Sequence, residues 1–503
     1  MREVVLDGES MTIEEIMLIG NSDVKFSLSQ KSRSIMNDSR SHVESIVEGE
    51  QTVYGINTGF GSLSNVRIAP DELELLQRNL VLSHACGIGE PMAPVATLRM
   101  MAIRANSLAK GASGIRPEVV DTMLDLVNSM NAPVVPKIGS LGASGDLAPL
   151  AHMAMALIGE GQFQSFMKGS WSMRTSSAVF KSINRDPVVL KAKEGLSLIN
   201  GTSQMCAYLA EATNLSDKLS RSADAACAMS VEAIAGSHKP FDERIHALRR
   251  QDGQKVVAGR ILSFLEGSEI NTSHLACERV QDAYSFRCSP QVHGSVYDVI
   301  KNATRVVIDD VNSATDNPLI VNRKDGGYDV LSGGNFHGEP LALAADSLAA
   351  AIHELCSISE RRINQMLMPK WSGLTPFLAK NGGLESGLMI IQYVSAAAIA
   401  RIRLLAGPAT LTNIPVSGEK EDHVSMGSTA CERLIEVCNL ASSVIASEMI
   451  VAAAALDLRD EDPGKGVRDL HKMVRSISPP IDGDRSMAHE TKALSDYLME
   501  YGV

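Results

Sequence analysis

Long apolar runs with helical spacing dominate the part of the chain beyond residue 200. Each run is rich in Ala, Leu, Ile and Ser and carries apolar residues on more than one face, as helices buried in a bundle do. The five runs cover residues 202–235, 296–311, 340–364, 386–405 and 428–456. They predict a bundle of long, closely packed helices.

The first 200 residues alternate shorter elements of both kinds. Residues 4–6 are a strand candidate, and Thr12 and Glu15 have the spacing of a capping box at a helix start. Helices are predicted over residues 71–83 and 95–109. This part of the chain therefore predicts a mixed domain.

Prolines and glycines mark the breaks between these elements. Pro117 suits the first position of a helix, and the prolines and glycines of residues 133–145 predict an extended loop. Asp146 is the expected N-cap of a helix that reaches Leu157. Two apolar segments within residues 319–331 predict a β-hairpin. The predicted fold class is mainly α, with a long central helical bundle and a smaller mixed domain. The predicted domains are residues 1–200 and 201–503.

Composition restricts the partners of the protein. Only 4% of the 503 residues are aromatic, so Ala, Leu, Ile, Val and the 23 Met must build the core. The net charge is -12 without a basic block, which argues against nucleic acid and anionic membranes as partners. Apolar residues 387–400 are too few to cross a bilayer, and the acidic N-terminus is unlike a signal peptide.

The eight cysteines form no C-x-x-C pair and no Cys/His cluster with zinc spacing. We therefore expect reduced thiols in a cytoplasmic protein and no bound metal. Nucleotide binding is disfavoured too, because the glycines of residues 55–61 lack the Lys-Ser/Thr ending of a phosphate loop. Ser144 lacks the G-x-S-x-G context of a hydrolase nucleophile.

The tripeptide Ala143-Ser144-Gly145 offers unusual chemistry. If the Gly145 nitrogen attacks the Ala143 carbonyl and two waters leave, Ser144 becomes an exocyclic alkene on a five-membered ring. That alkene is an electrophile, which none of the twenty side chains supplies. A glycine-rich turn before a helix is the plain alternative, and residues 112–114 repeat the same three letters.

Three polar residues interrupt apolar segments of the chain. Tyr54 precedes a glycine run, where its hydroxyl either bonds a buried partner or serves as a base. His84 ends a predicted helix, where a histidine either caps carbonyls or faces a ligand. Asn200 either caps a helix or belongs to a site.

Two later segments are also dense in polar groups. Gln281, Tyr284 and Arg287 are spaced by three, so on a helix they would share one face, and the arginine would bind a carboxylate there. Phe336 is expected on a tight turn. Residues 420–423, which include Glu421, form either a surface loop or the edge of a site.

Seven of these segments, in this order, resemble the aromatic amino acid ammonia-lyase and aminomutase family. They are residues 54–61, 139–150, 194–202, 281–291, 315–319, 333–337 and 421–425. The resemblance implies a mostly helical homotetramer whose active sites each combine several subunits. It also implies a methylidene-imidazolone (MIO) ring made from Ala143, Ser144 and Gly145, with no metal and no external cofactor. Residues 112–114 lack the Asp-Leu-Ala-Pro-Leu that follows the ring triplet in this family.

The resemblance also assigns roles to side chains. It implies that Tyr54 removes the β-proton of an amino acid substrate and that Arg287 anchors its carboxylate. Asn200 and Tyr284 are expected beside the ring, and Gln281 and Phe336 are expected to shape the pocket.

Substrate choice rests on two positions. His84 after Ser83, and Glu421 before an Asp-His-Val-Ser run, match the members of the family that act on histidine. The expected reaction is therefore the conversion of L-histidine to trans-urocanate and ammonia, the first step of histidine breakdown. Lys420 and His293 depart from the residues usual there. The alternatives are a tyrosine or phenylalanine lyase, an aminomutase, or a non-catalytic helical oligomer.

Overall fold

The computed structural model describes residues 2–59, 67–273, 280–324 and 326–503, and it confirms the mainly α fold class. The helices are α1 Ile13–Met17, α2 Gln30–Glu48, α3 Leu73–His84, α4 Pro94–Ala109, α5 Pro117–Asn128, α6 Leu147–Leu157, α7 Ser176–Ser182, α8 Glu194–Ile199, α9 Ser203–Ala233, α10 Glu243–Ala247, α11 Asp252–Phe264, α12 Glu269–Ser273, α13 Tyr284–Arg287, α14 Ser289–Val311, α15 Glu339–Leu367, α16 Pro369–Ser372, α17 Met389–Leu405, α18 Gly427–Leu456, α19 Lys465–Ile477 and α20 Ala488–Glu500. The five predicted long helices correspond to α9, α14, α15, α17 and α18.

In the described ranges, the strands form four small sheets. They are β1 Arg2–Leu6, β2 Val24–Leu28, β3 Ile88–Pro91, β4 Asn131–Pro133, β5 Pro136–Ile138, β6 Gln162–Met167, β7 Ser170–Thr175, β8 Leu319–Asn322 and β9 Tyr328–Leu331. β1 pairs with β2 in parallel, whereas the β3-β5, β4-β6-β7 and β8-β9 sheets are antiparallel. The predicted hairpin is β8-β9, with Asp325 outside the described residues.

The chain forms two compact units, each assembled from three segments. The first unit comprises Met1–Glu211, Thr304–Ala345 and Pro408–Glu432, and the second comprises Ala212–Ala303, Asp346–Gly407 and Arg433–Val503. Four of the five boundaries between these segments fall inside long helices, namely α9, α14, α15 and α18. The division after residue 200 that the sequence indicates stays a prediction.

Local sequence signals explain several element boundaries. Thr12 and Glu15 form the predicted capping box at the start of α1, and Pro117 opens α5. The predicted loop over residues 133–145 is wrong in part, because it contains β5 and the end of β4. These three-residue strands are too short for their pattern to show in the sequence.

The helices α15 and α18 are long and apolar enough, by length and composition, to cross a membrane. However, 61% and 83% of their most apolar windows are buried inside the protein. Core helices of globular proteins share this property, so the apolar character of both helices is accounted for by internal packing. The stretch whose length the sequence analysis compares with a bilayer, residues 387–400, lies largely in α17.

Candidate active site

The segment 143–145 forms a tight turn that leads into α6. Gly142 and Gly145 both have positive φ, at 68° and 73°. A side chain at Gly142 would collide with Ser425 Oγ, and one at Gly145 would collide with the carbonyl oxygen of Gly201. Only glycine therefore fits at either end of the turn. Ala143 is buried and Ser144 is half-buried.

A neighbouring segment holds this turn from one side. The Asn200 side-chain amide donates to the Ser144 carbonyl at 2.8 Å, and the Asp146 N–H donates to the Gly201 carbonyl at 2.7 Å. Gly145 and Gly201 form an isolated parallel bridge. Asn200 is 4% exposed and caps the C-terminal end of α8 by position, so it does not open the following helix. Its polar group is directed at the turn.

Within the turn, the two oxygen atoms that leave as water during ring formation have no hydrogen-bond partner in the described ranges. Among the described residues, neither the Ala143 carbonyl oxygen nor the Ser144 hydroxyl takes part in a hydrogen bond. Residues 112–114 differ, because the Ala112 carbonyl accepts the Ile320 N–H at 2.8 Å and the Ser113 hydroxyl donates to Asp316 at 2.9 Å. The structure thus separates the two triplets by their hydrogen bonding.

Asp146 occupies the N-cap position of α6, but its side chain makes no capping bond there. Instead one carboxylate oxygen accepts the N–H groups of Gln204 and Met205, at 2.8 and 3.1 Å, in the first turn of α9. The other oxygen accepts the Ser140 hydroxyl at 3.0 Å. Asp146 therefore caps α9, which begins 57 residues later at Ser203, and not α6 as predicted.

Burial raises the pKa of Asp146 from 3.8 to about 7. The unfolded chain releases this proton near its ordinary pKa, whereas the folded chain keeps it until about pH 7. The contribution of Asp146 to stability is therefore complete below about pH 4 and is lost as the pH rises through about 7.

We expect Asp146→Asn to remove this pH dependence. The stability of the parent protein relative to the variant should fall between about pH 4 and about pH 7, because only the parent ionises a buried group in that range. Denaturation midpoints of both proteins across the range measure this difference. A constant difference would mean that Asp146 is ionised throughout.

Two further segments attach to the turn through backbone contacts. The Gly142 carbonyl accepts the Gly338 N–H at 2.9 Å and the Ser425 hydroxyl at 3.0 Å. The Leu141 carbonyl accepts the Met426 N–H at 2.8 Å. Phe336 lies on the predicted turn just before Gly338, and its side chain is half-buried. The contacts at Gly142 thus fix the segment that carries Phe336.

Glu421 is half-buried at the start of the segment that ends at Ser425 and Met426. Its backbone pairs with Val416 in an antiparallel bridge. Lys420, next to it, is exposed. Of the two readings left open for residues 420–423, the connection of this segment to the turn favours the edge of a site.

A stacked histidine pair, to which sequence reasoning assigned no role, lies on these two segments. The rings of His337 and His423 are 5.7 Å apart and 5° from parallel. The Glu339 N–H points to His337 Nδ1 at 3.4 Å, so His337 Nε2 is the nitrogen that donates to the His423 carbonyl, at 3.2 Å. Both histidines stand inside motifs that the sequence singled out, but only the fold brings them together.

His84 is the last residue of α3 and is half-buried. Its Nδ1 lies 2.8 Å from the Leu80 carbonyl oxygen, which can only accept a hydrogen bond, so Nδ1 carries the hydrogen and donates. In the neutral ring, Nε2 is then left as an acceptor. His84 therefore bonds a helix carbonyl, which is the first of its two predicted roles. Its Nε2 can still bind a ligand, which is the second.

The Tyr54 turn is set by Gly55, whose φ is 75°. A side chain at Gly55 would lie 2.7 Å from Pro318 Cδ and 2.9 Å from Leu196 Cδ2, so the turn packs closely against both residues. Tyr54 itself is half-buried. Residues 60 and 61 of the same motif lie outside the described residues.

Gln281, Tyr284 and Arg287 belong to the second unit. The expectation that they share a helix face is wrong for Gln281, because α13 begins only at Tyr284 and Ala283 is extended. Asp282 accepts the Ser237 N–H at 2.7 Å, which holds the preceding backbone away from the helix.

The other two residues of this segment do act together. The Arg287 guanidinium lies over the Tyr284 ring, 4.6 Å from its centroid, while Tyr284 is 70% exposed. Arg287 Nε is buried and has no hydrogen-bond partner among the described residues. A buried donor without a partner is consistent with a guanidinium that binds the carboxylate of a ligand.

His293, the second departure from the usual residues, also lies in the second unit. It is fully buried, with Nδ1 2.8 Å from Asp224 and Nε2 3.3 Å from Arg362. Burial lowers its pKa. Arg362 in turn pairs with the buried carboxylate of Glu448. His293 therefore belongs to a buried charged network that sequence reasoning did not detect.

Within the described ranges, no group of three or more His, Cys, Asp or Glu side chains is arranged to hold a metal ion. The turn at 143–145 is instead held by backbone groups, by the side-chain amide of Asn200 and by the segment of Asp146, all in the first unit. Such a set suits chemistry on a group formed from the backbone itself.

The model of the aromatic amino acid lyase family matches residues 11–476, and the chain belongs to this family. It is 45% identical to a histidine ammonia-lyase of Myxococcus xanthus over 496 residues, 98% of this chain and 96% of that protein. A histidine ammonia-lyase of Gloeobacter violaceus is 42% identical, with 99% and 96% covered.

Solved structures agree with these relatives. The histidine ammonia-lyase from Trypanosoma cruzi has a TM-score of 0.90 and 39% identity, covering 99% of this chain and 93% of that one. Tyrosine aminomutase from Streptomyces globisporus has a TM-score of 0.91 and 32% identity, covering 99% and 97%. The family expected from the seven segments is confirmed.

Proposed function

We propose that this protein eliminates ammonia from L-histidine to give trans-urocanate. The observation that carries the proposal is the glycine-bounded turn at 143–145, which Asn200 and Gly201 hold in place. Its Ala143 carbonyl and Ser144 hydroxyl have no hydrogen-bond partner in the described part of the chain. The full-length likeness to histidine ammonia-lyases supports the choice of substrate.

The residues of the turn fit the MIO ring of the family. A bond forms between the Gly145 nitrogen and the Ala143 carbonyl carbon, and the carbonyl oxygen leaves as water with the amide hydrogens of Gly145 and Ser144. A second water takes the Ser144 hydroxyl and its α-hydrogen. The positive φ at Gly142 and Gly145 bends the backbone for this closure. The finished ring supplies the electrophile that accepts the substrate's amino group.

Side chains of the protein then accept the β-proton of the substrate and bind its charged carboxylate. The Tyr54 phenolate takes the β-proton of the substrate, and the electrons of that C–H bond form the double bond as ammonia leaves. Arg287 binds the carboxylate through its guanidinium, which the Tyr284 ring supports. Asn200 borders the turn. Phe336 and Gln281 keep the pocket-shaping roles that the family resemblance implies.

Histidine is selected by hydrogen bonding to its imidazole. His84 Nε2, left as an acceptor by the bond from Nδ1 to Leu80, suits a substrate ring N–H. The Glu421 carboxylate suits the same ring in its protonated form. Phenylalanine offers neither group a partner.

A panel of histidine, tyrosine and phenylalanine with purified protein tests the proposal, followed by ultraviolet absorbance. Urocanate should form from histidine. We expect His84→Leu to lower kcat/KM for histidine about ten- to a hundredfold, the cost of one hydrogen bond to a polar substrate. Ser83→Ala removes a hydroxyl that lies 3.1 Å from His84 Nδ1 but leaves the Nδ1 bond to Leu80 and the free Nε2 in place, so it should stay near the parent value. Cinnamate, coumarate or a β-amino acid in place of urocanate would assign the protein to another branch of the family.

We also propose a homotetramer with shared active sites in the cytoplasm. On α17, Ile390, Tyr393 and Val394 are all more than half exposed, an apolar surface that a second copy would cover. The seven described cysteines are free thiols, which suits a reducing compartment. Light scattering on the purified protein measures the subunit number.

A further inference from the structure

We propose that Arg104 is the positioning residue that fixes the Asn200–Gly201 segment behind the ring-forming turn. This inference rests on the proposed function. Arg104 lies in α4, is fully buried and does not reach the turn itself. It acts through the backbone on which the turn is built.

The Arg104 guanidinium caps the C-terminal end of α8. Its Nε donates to the Ser197 carbonyl at 3.0 Å, and Nη2 donates to the same oxygen. Ser197 stands in the last turn of α8, where carbonyls lack partners within the helix and the negative pole of the helix favours a cation. The end of α8, and with it the position of Asn200, is therefore set by Arg104.

The same guanidinium packs directly on Gly201. Any side chain at Gly201 would collide with Arg104 Nη1 and would lie 2.8 Å from the Thr315 hydroxyl, which Nη1 itself contacts at 3.4 Å. On its other side, the Gly201 backbone meets Gly145. A single glycine thus separates a buried cation from the nitrogen that closes the ring.

Ion pairing does not explain why Arg104 is buried here. Among the described residues, no carboxylate lies within salt-bridge distance of its guanidinium. Asp316, a buried carboxylate whose charge acts on Arg104, already binds Lys193 at 3.2 Å and the Ser113 hydroxyl at 2.9 Å. Burial lowers the pKa of Arg104, and Asp316 and Asp146 oppose this from further away. The desolvation of Arg104 is therefore offset mainly by the bonds that hold α8 and Thr315.

The test compares Arg104→Met, Arg104→Lys and Arg99→Met in the full-length protein. Arg99 is on the same helix and pairs with Glu211 at 2.8 Å, so its loss measures the general effect of removing an arginine from α4. The primary readout is the mass of the peptide that contains 143–145, which shows whether two waters have been lost. Melting temperature and KM for histidine are recorded alongside.

We expect a severalfold lower ring-bearing fraction in Arg104→Met, a smaller loss in Arg104→Lys, and complete ring formation in Arg99→Met. KM measured on the ring-bearing molecules should be unchanged, because Arg104 does not touch substrate. Complete ring formation in both Arg104 variants overturns the inference while the proposed function stands. If Arg104→Met does not fold, Arg104→Lys decides alone. A parent protein without the ring overturns the proposed function and this inference together.

Discussion

Replacing Tyr54 with phenylalanine is expected to lower kcat for histidine about a hundred- to ten-thousandfold, the usual contribution of a positioned general base. The β-proton of an amino acid is a very weak acid, so its removal depends on a base at the right place. Phenylalanine keeps the shape of the side chain and removes only the oxygen that takes the proton. The measurement is initial rate at saturating histidine.

The ring should still form in this variant, because the contacts that hold residues 143–145 come from Asn200 and Gly201. The mass of the peptide with this turn separates loss of the base from loss of the electrophile. Tyr297→Phe is the matched control, since that ring contacts Arg260 in the second unit. Near-normal turnover in Tyr54→Phe would remove Tyr54 as the base.

The long helices were predictable because their signal is local and repeated. The helices α9 and α18 are 31 and 30 residues long, so the helical spacing of apolar residues repeats many times along each of them. The capping box of α1 is equally local, since Thr12 and Glu15 are three residues apart. The signal that predicts elements of this kind is local, although their stability comes from packing.

The features that sequence reasoning missed depend on distant contacts. Asp146 caps α9 rather than α6 because the fold brings Gln204 and Met205 to its carboxylate. Gln281 lies outside α13 because Asp282 bonds to Ser237, 45 residues earlier. Neither partner is visible from local spacing. The sequence pattern shows which residues are present, whereas the roles of Asp146 and Asp282 depend on the backbone N–H groups that the fold brings next to them.

The site residues show the same division. The family motifs located the turn at 143–145 and the segments of Phe336 and Glu421, which the structure joins through Gly142 and Leu141. The His337–His423 stack could not be predicted, since 86 residues separate its members. Arg104 carries no motif signal of its own.

The largest effect on the chemistry is expected from Ser144→Ala. Without the Ser144 hydroxyl the second water cannot leave, so no exocyclic alkene forms at any pH. Turnover of histidine should fall to the limit of detection, and the peptide containing residues 143–145 should lack the mass loss of two waters. Mass spectrometry and the urocanate assay measure the two effects on the same sample.

Ser113→Ala is the matched control for this prediction, since it replaces the serine of the second Ala-Ser-Gly triplet, at residues 112–114. The Ala112 carbonyl is bonded to the Ile320 N–H and the Ser113 hydroxyl to Asp316, so neither is available for ring closure. The variant should keep the full mass loss at 143–145, with its cost confined to stability, because Asp316 loses a buried donor. A mass loss located at 112–114 in the parent protein would contradict the assignment. The two Ala-Ser-Gly triplets are therefore distinguished by their hydrogen bonding in the folded protein, which their identical sequences do not show.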